Sequence, residues 1–260
     1  MTQDSQTQSP RIELVPSPKW VRVVFGGQVV ADSKRALLVR ERGRTPVYYF
    51  PMEDVREGAL EPTGRTAATR AGSEPALWSV RVGEAVAEDA AWGHVEPPLE
   101  AAGLAGHVAF DWGRMDAWFE ESEQVYVHAR DPYKRVDIAH SSRHVRVVIG
   151  GETVADTHRP VLLFETGLPT RYYIPKTDWR MDLLLPSDRV TRCPYKGQAS
   201  YHSVAAEPRV APDIVWYYPY PTPGAGKVAG LLSFYQERVE ALYIDGEEQP
   251  KARTGRNRDG

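Results

Sequence analysis

The stretch Thr191–His202 concentrates the reactive side chains of this sequence: Arg192, Cys193, Tyr195, Lys196, Tyr201 and His202 lie within twelve residues. A thiolate is a nucleophile, and neighbouring cations lower a thiol's pKa. Arg192 and Lys196 are close to Cys193 in the chain, and His202 reaches it if the intervening turn folds back. Cys193 and His202 are therefore the candidate catalytic pair, with His202 as proton shuttle. The competing assignment is a structural cysteine that packs as a small hydrophobe. Cys193 is the single cysteine, so redox turnover would need an external reductant. Lys196-Gly197 places an ammonium beside an open stretch of backbone, which suits an anionic ligand. The same pair also fits a plain turn with a solvated lysine.

Further ligand-lining candidates are Arg192, Tyr195, Gly197 and Tyr201. To these are added Tyr173 of the Tyr172-Tyr173 pair, Asp178, Arg180, and Trp216 of the aromatic run ending at Pro221. Neighbouring strand residues face opposite sides, so one tyrosine of a pair packs while the other faces out or into a cleft. Asp178 and Arg180 suit either a structural ion pair or a ligand contact. Of the seven histidines, His140 and His144 have helical ligand spacing, but they sit in the join with no acidic third ligand in an obvious place. No metal site and no cofactor are expected. There is no Gly-rich phosphate loop, serine elbow or zinc motif.

These residues must be positioned by β-structure. Gly and Pro number 21 each, beside seven Trp and 13 Tyr. Many punctuators with many aromatics favour short strands and turns over helical bundles. Val21–Phe25, Gly26-Gly27 and Gln28–Ala31 read as a hairpin, as do Ala36–Arg40 with Val47–Phe50, and Leu77–Val82 with 85–87. Val125–His128 alternates like a strand, and a weak helical period runs near Pro51–Leu60.

The organisation is a tandem duplication. Residues 21–118 align on 145–242 without a gap, and roughly a third of the positions are identical. Val21–Gly27 matches Val145–Gly151, Tyr48–Pro51 matches Tyr172–Pro175, and Trp92 matches Trp216. Arg35 and Arg159 recur likewise. Two copies of this length are two compact domains rather than a solenoid. The expected divisions are a flexible tail 1–18, repeat one at 19–128, a partly docked linker 129–142, repeat two at 143–250, and a flexible tail 251–260. The sharpest difference between copies is the one already named: where copy two has Thr191–His202, copy one has the chemically bland Ala67–Trp78.

The run Thr191, Cys193-Pro194-Tyr195-Lys196-Gly197, Ala199 and Tyr201 resembles the hallmark of the family called domain of unknown function 427. Val154-Ala155-Asp156, Arg159-Pro160, Tyr172–Pro175, Asp178, Trp216, Gly230 and Phe234-Tyr235 support the resemblance. Copy one matches the same framework but departs from it at the Cys-Pro-Tyr-Lys-Gly core. The resemblance implies a β-tent fold of coiled antiparallel sheets, also seen in methionine sulfoxide reductase B. It implies no established activity. A nucleotidyltransferase label finds no counterpart, because neither copy has a Gly-Ser turn followed by paired Asp residues able to hold two metals.

The expected protein is thus all-β, in two β-tent-like repeats. It binds a small or anionic ligand in the second repeat around Cys193–Lys196. An enzyme using Cys193 and a non-catalytic interaction module are the alternatives. The net charge of −3 argues against nucleic acid as a partner. The polar N-terminus and the absence of a long apolar run argue against a membrane, and a lone cysteine fits a reducing compartment. A cytoplasmic monomer or weak homodimer is expected.

Overall fold

The computed structural model describes residues 12–41, 43–67, 74–206 and 209–251. The expectations for the outermost tails and for copy-one residues 68–73 lie outside these. The chain forms two compact units, Met1–Asp131 and Pro132–Gly260. Both are built of antiparallel strands joined by turns and short 3-10 segments.

Unit 1 contains β1 (Ile12–Pro16), β2 (Val21–Phe25), β3 (Gln28–Ser33), β4 (Leu37–Glu41), β5 (Val47–Pro51), β6 (Leu60–Thr66), β7 (Ala76–Val82), β8 (Ala85–Gly93), β9 (His107–Phe110), β10 (Ala117–Glu120) and β11 (Glu123–Val125). Unit 2 contains β12 (Val136–His140), β13 (Val145–Ile149), β14 (Glu152–Thr157), β15 (Val161–Glu165), β16 (Arg171–Pro175), β17 (Leu184–Cys193), β18 (Gly197–Ala206), β19 (Arg209–Tyr217), β20 (Leu231–Phe234), β21 (Ala241–Ile244) and β22 (Glu247–Glu248). Each unit has a seven-stranded and a four-stranded sheet. The orders are β1-β4-β5-β9-β8-β7-β6 with β11-β10-β2-β3, and β12-β15-β16-β20-β19-β18-β17 with β14-β13-β21-β22. Strand for strand, the second pair of orders repeats the first.

The repeat extends to local irregularities. The register shifts between Val23 and Val24 and again between Val147 and Val148. Asp89 and Asp213 both adopt positive φ, at 50° and 49°. Gly26-Gly27 and Gly150-Gly151 have positive φ throughout, as the two-residue turn of a tight hairpin requires.

The strands read from sequence are present, with differences at their ends. β1 falls inside the span expected as a tail, and pairs along its length with β4. β12 falls inside the expected linker and pairs with β15. Tyr126–His128 is not strand; β11 ends at Val125, and Val127 has a φ of 79°. Alternating residue types there do not suffice, because a strand needs a partner edge. The weak helical period near Pro51 is a single 3-10 turn, Met52–Asp54.

Each unit buries its own core. In unit 2, Val145, Val147 and Ile149 of β13 meet Ile174, Val204, Val215, Leu232 and Phe234 of the large sheet. The other face of that sheet carries a second, aromatic cluster containing Tyr173, Tyr201, Trp216 and Tyr218. It is roofed by Val136 and Ile138 of β12 and by Ala225 and Val228 of a 3-10 segment.

Candidate functional site

The Cys193–Gly197 segment is the turn of the β17–β18 hairpin, with Cys193 directly opposite Gly197. Gly197 has a φ of 103°, and a Cβ there would lie 2.9 Å from the Tyr220 carbonyl oxygen. Only glycine fits this conformation and this close approach. The hairpin tip is pinned to the 220–222 segment. Thr222 Oγ1 donates to the Tyr195 carbonyl at 2.6 Å, and the Thr222 backbone N–H donates to the Lys196 carbonyl at 3.1 Å.

Lys196 is not left for a ligand. Its ammonium bonds Glu165 at the end of β15, and Lys134 Nζ reaches the other oxygen of the same carboxylate at 2.7 Å. Glu165 is buried, with 4% side-chain exposure. Burial disfavours its charge, but Lys196 and Lys134 outweigh that and hold its carboxyl below the usual carboxylate range. The ring of Tyr195 lies 5.3 Å from the Lys134 ammonium.

Strand parity separates the candidate catalytic pair. Cys193, Thr191, Ala199 and Tyr201 share one face, and the Thr191 and Tyr201 hydroxyls are 2.8 Å apart. His202 is on the opposite face, stacked on Tyr217 at 5.2 Å. Its Nδ1 is buried without a hydrogen-bond partner among the described residues, and burial lowers its pKa. The turn therefore does not bring His202 back to Cys193. Arg192 also leaves the Cys193 face, and its Nε donates to Gln198 at 3.2 Å. Half-buried Cys193 instead lies near the phenols of Tyr173 and Tyr218. Burial pushes both phenols above the ordinary tyrosine value, so they stay protonated.

Asp178 and Arg180 do not pair with each other. Asp178 accepts from Arg159 at 2.8 and 3.1 Å and from Thr157 at 2.6 Å, while Arg180 bonds Asp182 at 2.6 and 2.9 Å. The Arg159 hydrogen bonds, opposed by partial burial, hold the Asp178 carboxyl well below the usual range. Unit 1 has the same arrangement in Arg35, Ser33 and Asp54. This is repeated scaffold. The signal for it was the recurrence of Arg35 and Arg159 beside the kept aspartates.

Tyr173 and Trp216 do converge. Trp216 Nε1 donates to Tyr173 Oη at 3.3 Å, as Trp92 does to Tyr49 at 2.9 Å. In unit 1 both Tyr48 and Tyr49 are buried, so neither twin faces a cleft there. Around Trp216, unit 2 adds Tyr235 and Arg171, where unit 1 has Asp111 and Val47, and keeps two arginines that unit 1 also has, Arg189 (Arg65) and Arg238 (Arg114). Tyr235 packs on Trp216 at 4.7 Å and on Tyr201 at 6.4 Å. Three guanidiniums lie over these rings: Arg171 over Trp216 at 5.5 Å, Arg189 over Tyr201 at 5.1 Å and Arg238 over Tyr235 at 5.3 Å. Arg171 is neutralised by a bidentate bond to Glu237 at 2.7 and 3.0 Å. Arg189 stands 3.9 Å from Asp213, whereas its counterpart Arg65 closes on Asp89 at 2.8 Å. Arg238 donates to two backbone carbonyls and meets no carboxylate in the described ion pairs.

Tyr235, Arg171, Arg189 and Arg238 were missed in the sequence. The signal was available: Tyr201, Tyr235 and Arg171 replace Leu77, Asp111 and Val47 at matched positions. A separate cluster, His144, Asp156 and His158, presents three metal-ligand atoms within 4.8 Å of one another.

Among the described residues no helix is long and apolar enough to cross a membrane. No curated protein matches the chain. The sequence profile of one family matches twice, over residues 13–121 and 137–245, and the two matches carry the two repeated units described above. The chain belongs to the family described as Domain of unknown function (DUF427), and holds two copies of its domain.

Proposed function

We propose that unit 2 binds a small anionic ligand with a planar apolar body on the shelf formed by Tyr201, Trp216, Tyr235, Arg189 and Arg238. One observation carries this reading: residues by which unit 2 differs from unit 1, namely Thr191, Tyr201, Arg171 and Tyr235, converge on one face of one sheet. Scaffold alone asks for no such divergence, because unit 1 packs the same face with Leu14, Leu37, Val39 and Val47. Three guanidiniums against Glu237 and Asp213 leave excess positive charge at the rim, and half-buried Tyr235, packed over the buried rings of Trp216 and Tyr201, supplies the apolar base.

In this reading the Cys193–Gly197 hairpin is positioning structure. Lys196 locks it to Glu165, and Thr191 hands the hydroxyl of Tyr201 its orientation. Cys193 lines the inner end of the shelf. A nucleophilic role draws no support from the neighbours of Cys193, since Tyr173 and Tyr218 hold their protons and His202 faces elsewhere.

Phenyl phosphate and benzoate, titrated at millimolar concentration, test the proposal through the thermal midpoint. The midpoint should rise in the parent and in Arg65→Ala, the matched change in unit 1. It should not rise in Arg189→Ala. An absent shift in the parent, or an equal one in Arg189→Ala, would sink the idea.

A further inference from the structure

Helical spacing pairs His140 with His144, whereas His158 is well removed from both along the chain. The sheet makes His144 and His158 neighbours. His144 precedes β13, His158 follows β14, and these two strands pair with Arg146 opposite Asp156. Alternation then puts His144, Arg146, Asp156 and His158 on the outer face of the small sheet, since Val145 and Val147 point into the core. The imidazoles stack at 4.2 Å, and His144 Nε2 is 2.7 Å from Asp156 Oδ1.

Unit 1 shows what this corner does without histidine. The counterparts are Trp20, Asp32 and Lys34. Trp20 Nε1 donates to Asp32 at 2.6 Å, and the Lys34 ammonium lies 5.2 Å from the Trp20 ring centre. A carboxylate, an indole donor and a built-in cation complete one another. In unit 2 the aspartate is kept, while the lysine and the tryptophan are both replaced by imidazoles. The fixed cation is gone and two nitrogen donors stand in its place. His144 is the only ion-pair partner of Asp156 among the described residues. Arg146, opposite Asp156 in the strand pair, is turned onto the Tyr243 ring at 4.4 Å.

We propose that His144, Asp156 and His158 form a binding site for a divalent transition-metal ion of the zinc class. Two imidazoles with one carboxylate are a donor set for such ions, and three protein ligands leave an open position for water or an anion. With metal–ligand bonds of about 2.0–2.1 Å, tetrahedral ligand atoms stand about 3.4 Å apart. The three atoms here lie within 4.8 Å, and convergence on one ion requires the stacked imidazoles to turn out of their parallel arrangement. The metal takes the place of the present His144–Asp156 contact. The site is independent of the aromatic shelf.

The test uses the full chain, stripped with EDTA, and titrates Zn2+ calorimetrically. Co2+ serves as a spectroscopic reporter through its visible d–d absorption. One equivalent should bind. His158→Ala and Asp156→Asn should each weaken Zn2+ affinity at least tenfold and abolish the Co2+ band, while His140→Ala should leave both unchanged. All three positions are solvent-facing, and unaltered circular dichroism melts would confirm that the variants fold. No Zn2+ binding by the parent, or binding untouched by His158→Ala and Asp156→Asn, overturns the proposal.

Discussion

At the scale of single residues, Glu165 is the group whose removal should be felt most. It is buried and accepts from the ammonium groups of Lys134 and Lys196, each 31 residues away in the chain, one just before β12 and one in the β17–β18 turn. Glu165→Gln leaves Lys196 and Lys134 facing each other without a counter-charge. Breaking a buried ion pair from one side costs about 3–5 kcal/mol; the partial exposure of the lysines puts the expectation near the lower figure. Urea unfolding at neutral pH measures it. Asp178 gives the matching pH prediction. Its folded pKa is depressed by Arg159, so the stability it contributes is present above the unfolded carboxylate value and is lost as pH falls through the folded one. Urea midpoints of the parent and Asp178→Asn should differ at neutral pH and converge in strong acid. A gap that is constant with pH would show that the charge is not what Asp178 contributes.

At the scale of elements, the turns set the register, and glycines set the turns. Gly150 and Gly151 both have positive φ, but their surroundings differ. A Cβ at Gly150 would lie 2.6 Å from the Ala206 Cβ, whereas one at Gly151 meets nothing within 4 Å. Asparagine tolerates the left-handed region. Gly151→Asn should therefore cost well under 1 kcal/mol, and Gly150→Asn about 2–3 kcal/mol by overpacking against β18. Gly197→Ala combines strained φ with a backbone clash at Tyr220, and about 2 kcal/mol is expected. Thermal or urea melts decide all three, and equal losses at Gly150 and Gly151 would show that φ alone matters. The same elements explain why His202 was misread. Cys193 opposite Gly197 fixes parity in the hairpin, and five residues beyond Gly197 is an odd step. A turn one residue longer or shorter would have put the histidine on the thiol's face, though still several rungs along the ladder, since His202 pairs with Pro186.

At the scale of the whole molecule, two units with separate sheets and separate cores should fold separately. Fragments 1–131 and 132–260 should each give β-type circular dichroism and a cooperative melt, because strands of each sheet all come from one fragment. A fragment that melts without cooperativity would refute this. The sequence by itself determined the duplication, the all-β class and the main hairpins. Those rest on local signals: strand-forming residue types, Gly-Gly turns and a constant offset between copies. It also singled out the stretch at Thr191–His202 as the place where the copies part. What that stretch does was decided by tertiary structure. Glu165 claims Lys196, Arg159 claims Asp178, and Tyr235 arrives on Tyr201 from 34 residues away. The same holds for His144 and His158, which meet only because β13 pairs with β14. In a β-fold the neighbours of a side chain come from other strands, and a one-residue change in register sends it to the other face. Spacing along the chain carries no record of that register.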